Sequence, residues 1–153
     1  FWQTVYEQLK LEMVKFPEWK VYMDENIFAK YSKLCVYRDE FCITKDVADL
    51  SICIENLTNE SYYGVWGNIQ RKDEELEKVR AALMLLKRDW RSDGIDSYWP
   101  IWKHTTYDFD KIKDVRKLQP QRRQELVAEM VAMFMGVFNI MKNELEKMFS
   151  YEH

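Results

Sequence analysis

The sequence predicts an α+β domain: a three- to four-stranded antiparallel sheet packed against an N-terminal helix, a middle helix and a long C-terminal helix. Apolar residues recur at helical spacing near both ends of the chain and around residue 80. Between the first two of these regions, short segments alternate apolar and polar residues, as half-buried strands do. The strand-like segments are joined by short polar connections, which favour an antiparallel meander over crossover units.

Size and composition indicate a single domain. The 153 residues suffice for one hydrophobic core, since 47% are hydrophobic and 15% aromatic. Four glycines and three prolines are too few for a disordered or low-complexity chain. The chain begins at Phe1 rather than Met, so we expect residues 1–153 to be one domain of a longer protein.

The first predicted helix covers residues 2–16. Its apolar stripe recurs in steps of three and four and consists of Trp2, Val5, Leu9, Met13 and Phe16. Pro17 should end it, because the residue before a proline disfavours helical angles.

Four segments then predict strands. Trp19, Val21 and Met23 alternate with polar neighbours, which is the two-residue period of a half-buried strand. Residues 33–38 and 49–57 predict two more strands. Residues 61–67 predict a fourth, weakened by two glycines.

A middle helix is predicted from about Asp73 to Arg91. Acidic residues crowd its first turns and basic residues its last, which suits the helix dipole. Its apolar stripe ends on Trp90, and Gly94 lies just beyond. Residues 110–118, DKIKDVRKL, are expected to add only a short helical turn.

Residues 97–109, SYWPIWKHTTYDF, are predicted to be extended chain, with Pro100 excluding a helix or a central strand. We interpret Trp99 and Trp102 as closing a hydrophobic core rather than binding a ligand. His104 is expected at a strand end, facing water or Asp108.

Pro120 is expected to open the longest helix, over residues 120–149. Its apolar face is wider than one contact requires, so the helix is predicted to pack on the sheet or at a subunit contact. We expect Phe134, Phe138 and Met141 to form an interface between two copies or with a partner domain. Glu129 and Asn139 interrupt the apolar run, so we do not predict a membrane span.

The sequence indicates no catalytic or metal site. Cys35, Cys42 and Cys53 are odd in number and lack metal-ligand or redox spacing. Two of them lie in strand-like runs, so we expect free buried thiols and a cytoplasmic location. His104 and His153 are far apart, and no nucleotide-binding or nucleophile motif is present. No cofactor is expected.

One segment is strongly basic although the net charge of the chain is −3. Six cations occur in residues 111–123, and they are Lys111, Lys113, Arg116, Lys117, Arg122 and Arg123. They would contact nucleic-acid phosphates without reading sequence. The alternative is a solvated helix face, which charge runs usually form.

The order of elements resembles the C-terminal region of bacterial PD-(D/E)XK nuclease superfamily proteins, including defence-associated ones. The resemblance rests on an opening Phe-Trp helix, a Tyr-Tyr-Gly strand and a Trp-rich strand before the last helix. It implies an α+β accessory domain fused to a nuclease core. The Asp/Glu-x-Lys half of that family's catalytic signature is matched only by Glu18, Trp19 and Lys20. No preceding strand supplies its Asp, so no catalytic residue is carried over.

These observations predict a noncatalytic interaction domain that self-associates or contacts a partner domain. The alternative is a DNA-contacting module, or a magnesium-dependent nuclease of the same superfamily.

Overall fold

A computed structural model describes residues 1–39, 50–58, 60–67, 90, 98–108 and 119–150, with the side chains of 106–108 and 147–150 excepted. The chain opens with helix α1, Trp2–Met13, and closes with helix α2, Pro120–Ser150. Five strands lie between them in the described ranges: β1 Trp19–Met23, β2 Lys33–Arg38, β3 Leu50–Glu55, β4 Glu60–Gly67 and β5 Ile101–Asp108.

The strands form one antiparallel meander, in which each strand pairs with its neighbours in sequence. β1 and β5 lie at its two ends. Because side chains alternate along a strand, the sheet has two different faces. We call the face that carries Leu34, Ile52 and Val65 the first face, and the face that carries Cys35, Cys53 and Tyr62 the second face.

The main core lies between the first face and the two helices. α1 contributes Trp2, Val5, Leu9 and Met13, all buried, as its spacing predicted. α2 contributes a longer buried stripe that includes Phe134 and Phe138. Phe138 lies edge-on to the rings of Phe16 and Trp19, with both centroid distances at 5.0 Å. Edge-on aromatic pairs add attraction beyond the area that they bury.

One carboxylate ties α2 to the end of the sheet. Glu146 Oε1 accepts hydrogen bonds from Trp19 Nε1 on β1, at 3.1 Å, and from Arg38 on β2, at 3.2 Å. A single oxygen therefore joins three elements near the C-terminal end of the helix.

The α+β class and the antiparallel sheet are confirmed, but the strand count was too low. Residues 101–108 are not merely extended; they pair with β4 as a fifth strand. Pro100 stands just before that strand, and β5 is at the end of the sheet, where proline is tolerated. α1 ends at Met13, before Pro17. The predicted middle helix, apart from Trp90, and the predicted turn at 110–118 lie outside the described residues.

The expectation of free thiols at Cys35 and Cys53 was wrong. The two residues form a disulfide across β2 and β3. They are directly opposite one another in the strand register, which their sequence spacing does not reveal. Cys42 lies outside the described residues.

Candidate functional site

A groove between α1 and α2 is the first candidate site. Its volume is about 880 Å³. α1 lines it with Phe1, Thr4, Gln8 and Glu12, which recur every three or four residues along one side of the helix. We call it the α1–α2 groove.

The floor and the rim of the α1–α2 groove on the α2 side are apolar. Val127 and Val131 are buried at its base, and Met135 is half-buried. Ala128 and Ala132 are exposed on the same side of α2. Small exposed side chains let a second helix approach closely, and the apolar floor supplies area to bury.

Gly136 continues this small-residue line one turn further and is also exposed. A methyl group added there would meet nothing within 4 Å. Glycine inside a helix costs up to about 1 kcal/mol relative to alanine. The described part of the chain therefore gives no packing reason for a glycine at this position.

Charges of opposite sign mark the two ends of the groove. Phe1 and Pro120 both line it, and Phe16, just beyond α1, contacts Phe138. The two helices therefore run in the same direction, with Arg123 at one end of the groove and Glu12 at the other. Arg123 Nε is buried and has no hydrogen-bond partner among the described residues.

The second face of the sheet is the other candidate. The register sets Lys33, Glu55, Tyr62 and His104 side by side across four strands. Lys33 Nζ also lies 4.4 Å from the ring centroid of Trp66 on this face. The arrangement places a carboxylate, an ammonium, a phenol and an imidazole in one line.

Glu55 is the unusual member of this line, because a carboxylate there is only 5% exposed. Its Oε2 accepts a hydrogen bond from Trp99 Nε1 at 3.0 Å, and Tyr62 donates a second. Loss of hydration raises the pKa of Glu55, although both donors and the nearby Lys33 oppose the rise. A perturbed carboxyl of this kind is more common at functional sites than elsewhere.

Trp99 reaches Glu55 from the segment just before β5. The backbone of this segment is tied to β4 by the hydrogen bond from Gly67 N to Tyr98 O, at 2.7 Å. The Trp99 indole is edge-on to Tyr62, with a centroid distance of 5.1 Å, and Tyr98 stacks on Trp66. The residues 98–100 therefore cover part of the second face, and we call them the aromatic strap. The prediction that Trp99 and Trp102 are packing residues is confirmed by their burial.

His104 is exposed, as predicted, but it lies in the middle of β5 rather than at a strand end, and the side chain of Asp108 is outside the described residues. His104 Nδ1 lies 3.7 Å from Glu60 Oε1. Both side chains are largely in water, so this contact contributes little.

Two cations of the predicted basic segment, Arg122 and Arg123, are described, and the first of them is paired with acidic residues. Arg122 pairs with Glu125 at 3.4 Å and with Glu129 at 2.9 Å. Arg123 points into the α1–α2 groove. Four of the six cations lie outside the described residues, and these are Lys111, Lys113, Arg116 and Lys117.

The three residues expected at an interface lie inside the chain. Phe134, Phe138 and Met141 are each 1% exposed or less and pack between α2 and the first face. The width of the apolar face of α2 is thus explained within one chain. An interface must use other residues of the helix.

The Asp/Glu-x-Lys triplet lies at the start of β1. Glu18 is exposed in the preceding turn, and Lys20 forms an exposed ion pair with Asp39 at 2.7 Å. Within the described ranges, no three His, Cys, Asp or Glu side chains cluster as metal ligands would.

The stretch Pro120–Glu146 of α2 is long and apolar enough, by length and composition, to cross a membrane. This is weak evidence, because the central helix of a globular domain meets the same two conditions. Here its longest apolar stripe packs against the sheet.

Comparison with protein-family models, with curated proteins and with solved structures gives no match.

Sequence reasoning missed both the α1–α2 groove and the buried carboxylate. The groove had a visible signal, since Ala128, Ala132 and Gly136 are spaced four apart on the helix. Glu55 also had a visible signal. It ends the strand-like run SICIE two residues after Cys53 and four after Ser51, so the three side chains share one face of the strand.

Proposed function

We propose that this chain is an interaction domain that self-associates through the α1–α2 groove. The observation that supports the proposal is the open groove itself, with buried valines at its base and small exposed residues along α2. The occupant is the same surface of a second copy. A two-fold interface of this kind presents one patch to itself.

Charge complementarity supports a second copy over an unrelated helix. A two-fold axis across the groove reverses its ends, which brings Arg123 of each copy towards Glu12 of the other. The pairing would give the buried Arg123 Nε an acceptor that the described residues do not supply. Hydrogen bonds between ionised groups are stronger than those between neutral groups.

The resemblance noted in the sequence suggests where such a domain would act. A noncatalytic accessory domain of a bacterial nuclease-superfamily protein would bring its attached catalytic parts together in pairs. We propose this as the setting.

Light scattering or sedimentation over a range of concentrations tests self-association. We expect a monomer–dimer equilibrium that Ala132→Arg shifts to monomer, because the long side chain would occupy the groove. Leu11→Arg is the matched control, since Leu11 is 64% exposed on α1 but does not line the groove. A monomer at every concentration, or a dimer insensitive to Ala132→Arg, would contradict the proposal.

The charge pairing has its own test. Arg123→Glu and Glu12→Arg should each weaken the dimer, and the double variant should restore it. Additive weakening in the double variant would exclude this two-fold arrangement, because it would show that the two residues do not meet.

A further inference from the structure

The Cys35–Cys53 disulfide joins strands that the sheet already holds together. Cys35 and Cys53 are register partners, and their Cα atoms are 4.2 Å apart. This is close to the spacing of about 4.5 Å that directly opposed residues have in a non-hydrogen-bonded antiparallel pair. Flanking pairs, including Lys33 with Glu55 and Val36 with Ile52, fix the same register independently. The sulfur atoms therefore stay near each other whether or not they are bonded.

The two sulfur atoms are in different surroundings. Cys53 is completely buried, whereas Cys35 retains 5% exposure and lies opposite Tyr22 of β1, at the end of the sheet. Ser51 Oγ is 3.0 Å from Cys53 Sγ. A disulfide sulfur carries no hydrogen, so the Ser51 hydroxyl is the donor in this contact.

The disulfide lies in one cluster with the aromatic strap. Cys35, Cys53, Tyr62, Trp99 and Trp102 form a single buried group on the second face. Two thiols need more room than a disulfide, because their sulfur atoms are no longer bonded. Of the five residues in this group, Trp99 alone lies outside the paired strands, so its segment, the aromatic strap, is where a change of packing would be taken up.

We propose that Cys35 and Cys53 are a redox-responsive site whose oxidation state controls the packing of the aromatic strap on the second face. The reductant is a dithiol of the thioredoxin chemical class. Its thiolate attacks the Sγ of Cys35, the less buried of the two residues; a new S–S bond forms and the Cys35–Cys53 bond breaks. The electron pair stays on Cys53 Sγ, where the Ser51 hydroxyl donates a hydrogen bond to the departing thiolate.

The second thiol of the reductant then completes the exchange. It attacks the reductant's own sulfur in the mixed disulfide and releases the Cys35 thiolate. The two cysteine thiolates take up the two protons lost by the dithiol, which leaves as a cyclic disulfide. Two electrons have moved from the dithiol to the cysteine pair.

The test uses the folded chain carrying Cys42→Ser, so that Cys35 and Cys53 are the only cysteines that can yield thiols. Dithiothreitol is added without denaturant, and the thiols are alkylated and counted by mass spectrometry. We expect two new thiols per chain, unchanged far-ultraviolet circular dichroism and a changed near-ultraviolet spectrum as the tryptophans repack. Reoxidation should restore the original spectrum.

A second variant tests the assigned roles of the two sulfurs. Ser51→Ala should slow reduction several-fold, because the Cys53 thiolate loses its hydrogen bond; Ser61→Ala, a buried serine away from the pair, should not. If the pair resists dithiothreitol until the chain unfolds, or if reduction leaves the near-ultraviolet spectrum unchanged, the disulfide is only a structural cross-link. Free thiols at Cys35 and Cys53 in a chain kept under air would also overturn the proposal.

Discussion

The indole N–H of Trp99 and the carboxylate of Glu55 form a buried hydrogen bond of 3.0 Å between residues 44 positions apart. The bond places an acidic group under an aromatic segment, on the opposite side of the sheet from the helices. Both residues are nearly inaccessible to water, so the indole N–H relies on Glu55 as its acceptor, while Glu55 also accepts a hydrogen bond from Tyr62. Changes to either should be measurable in stability.

Glu55→Gln should stabilise the chain at neutral pH. Since burial raises the pKa of Glu55 in the folded state, its contribution to stability is present below the unfolded pKa and is lost as pH rises through the folded one. Glutamine does not ionise, so the variant does not lose this contribution to stability as the pH rises. Thermal unfolding between about pH 4 and pH 8 should show the variant gaining on the wild type as pH rises. Glu60→Gln, at an exposed site, is the control; a less stable Glu55→Gln chain at pH 7 would contradict the expectation.

Trp99→Phe should destabilise the chain by about 1.5–3 kcal/mol, the range for a hydrogen bond to a charged group. Phenylalanine keeps an aromatic ring, although a smaller one than the indole, but the carboxylate of Glu55 loses its indole donor. Urea unfolding at pH 7 measures the difference. Trp66→Phe, at a half-buried tryptophan on the same face, should cost clearly less; equal costs would show that volume rather than hydrogen bonding is responsible.

Gly136→Ala should stabilise the fold by roughly 0.5–1 kcal/mol, because alanine restricts the unfolded chain and favours the helix. There is open space for the methyl group. Gly64→Ala is the contrasting variant, since a Cβ there would come within 2.8 Å of the Trp102 Cα atom. The denaturant midpoints of the two variants should shift in opposite directions from that of the wild type. A destabilised Gly136→Ala chain would contradict the helix assignment at this residue.

Phe138→Ala should cost roughly 3–5 kcal/mol, as large-to-small changes of buried aromatic residues do. Phe138 is completely buried and contacts both Phe16 and Trp19. Phe28→Ala, at a phenylalanine that is 78% exposed, should stay within about 0.5 kcal/mol of wild type. Urea titrations of the two variants provide the comparison; similar midpoints would mean that Phe138 is not in the core.

Reduction of the Cys35–Cys53 bond should lower the free energy of unfolding by about 3 kcal/mol in the chain-entropy description, given a sequence separation of 18 between the cysteines. The comparison is urea unfolding with and without dithiothreitol in the Cys42→Ser background. No change in midpoint would mean that the bond does not constrain the unfolded chain.

Local patterns predicted the local structure well. The alternation of Trp19, Val21 and Met23 anticipated β1, and Pro120 marked the first residue of α2. Contacts between residues on different strands could not be predicted, because strand pairing depends on register rather than on the composition of one segment. The fifth strand, the Cys35–Cys53 bond and the contact of Trp99 with Glu55 all belong to this second kind.

The meander order of the strands has a consequence during synthesis on the ribosome. Each strand pairs with the one made just before it, so the sheet can assemble progressively as the chain emerges. α1 covers only part of the sheet's first face, and the rest stays uncovered until α2 is released. A nascent chain ending before Pro120 would present an apolar sheet to its neighbours, which makes it prone to aggregate and a natural client for chaperones.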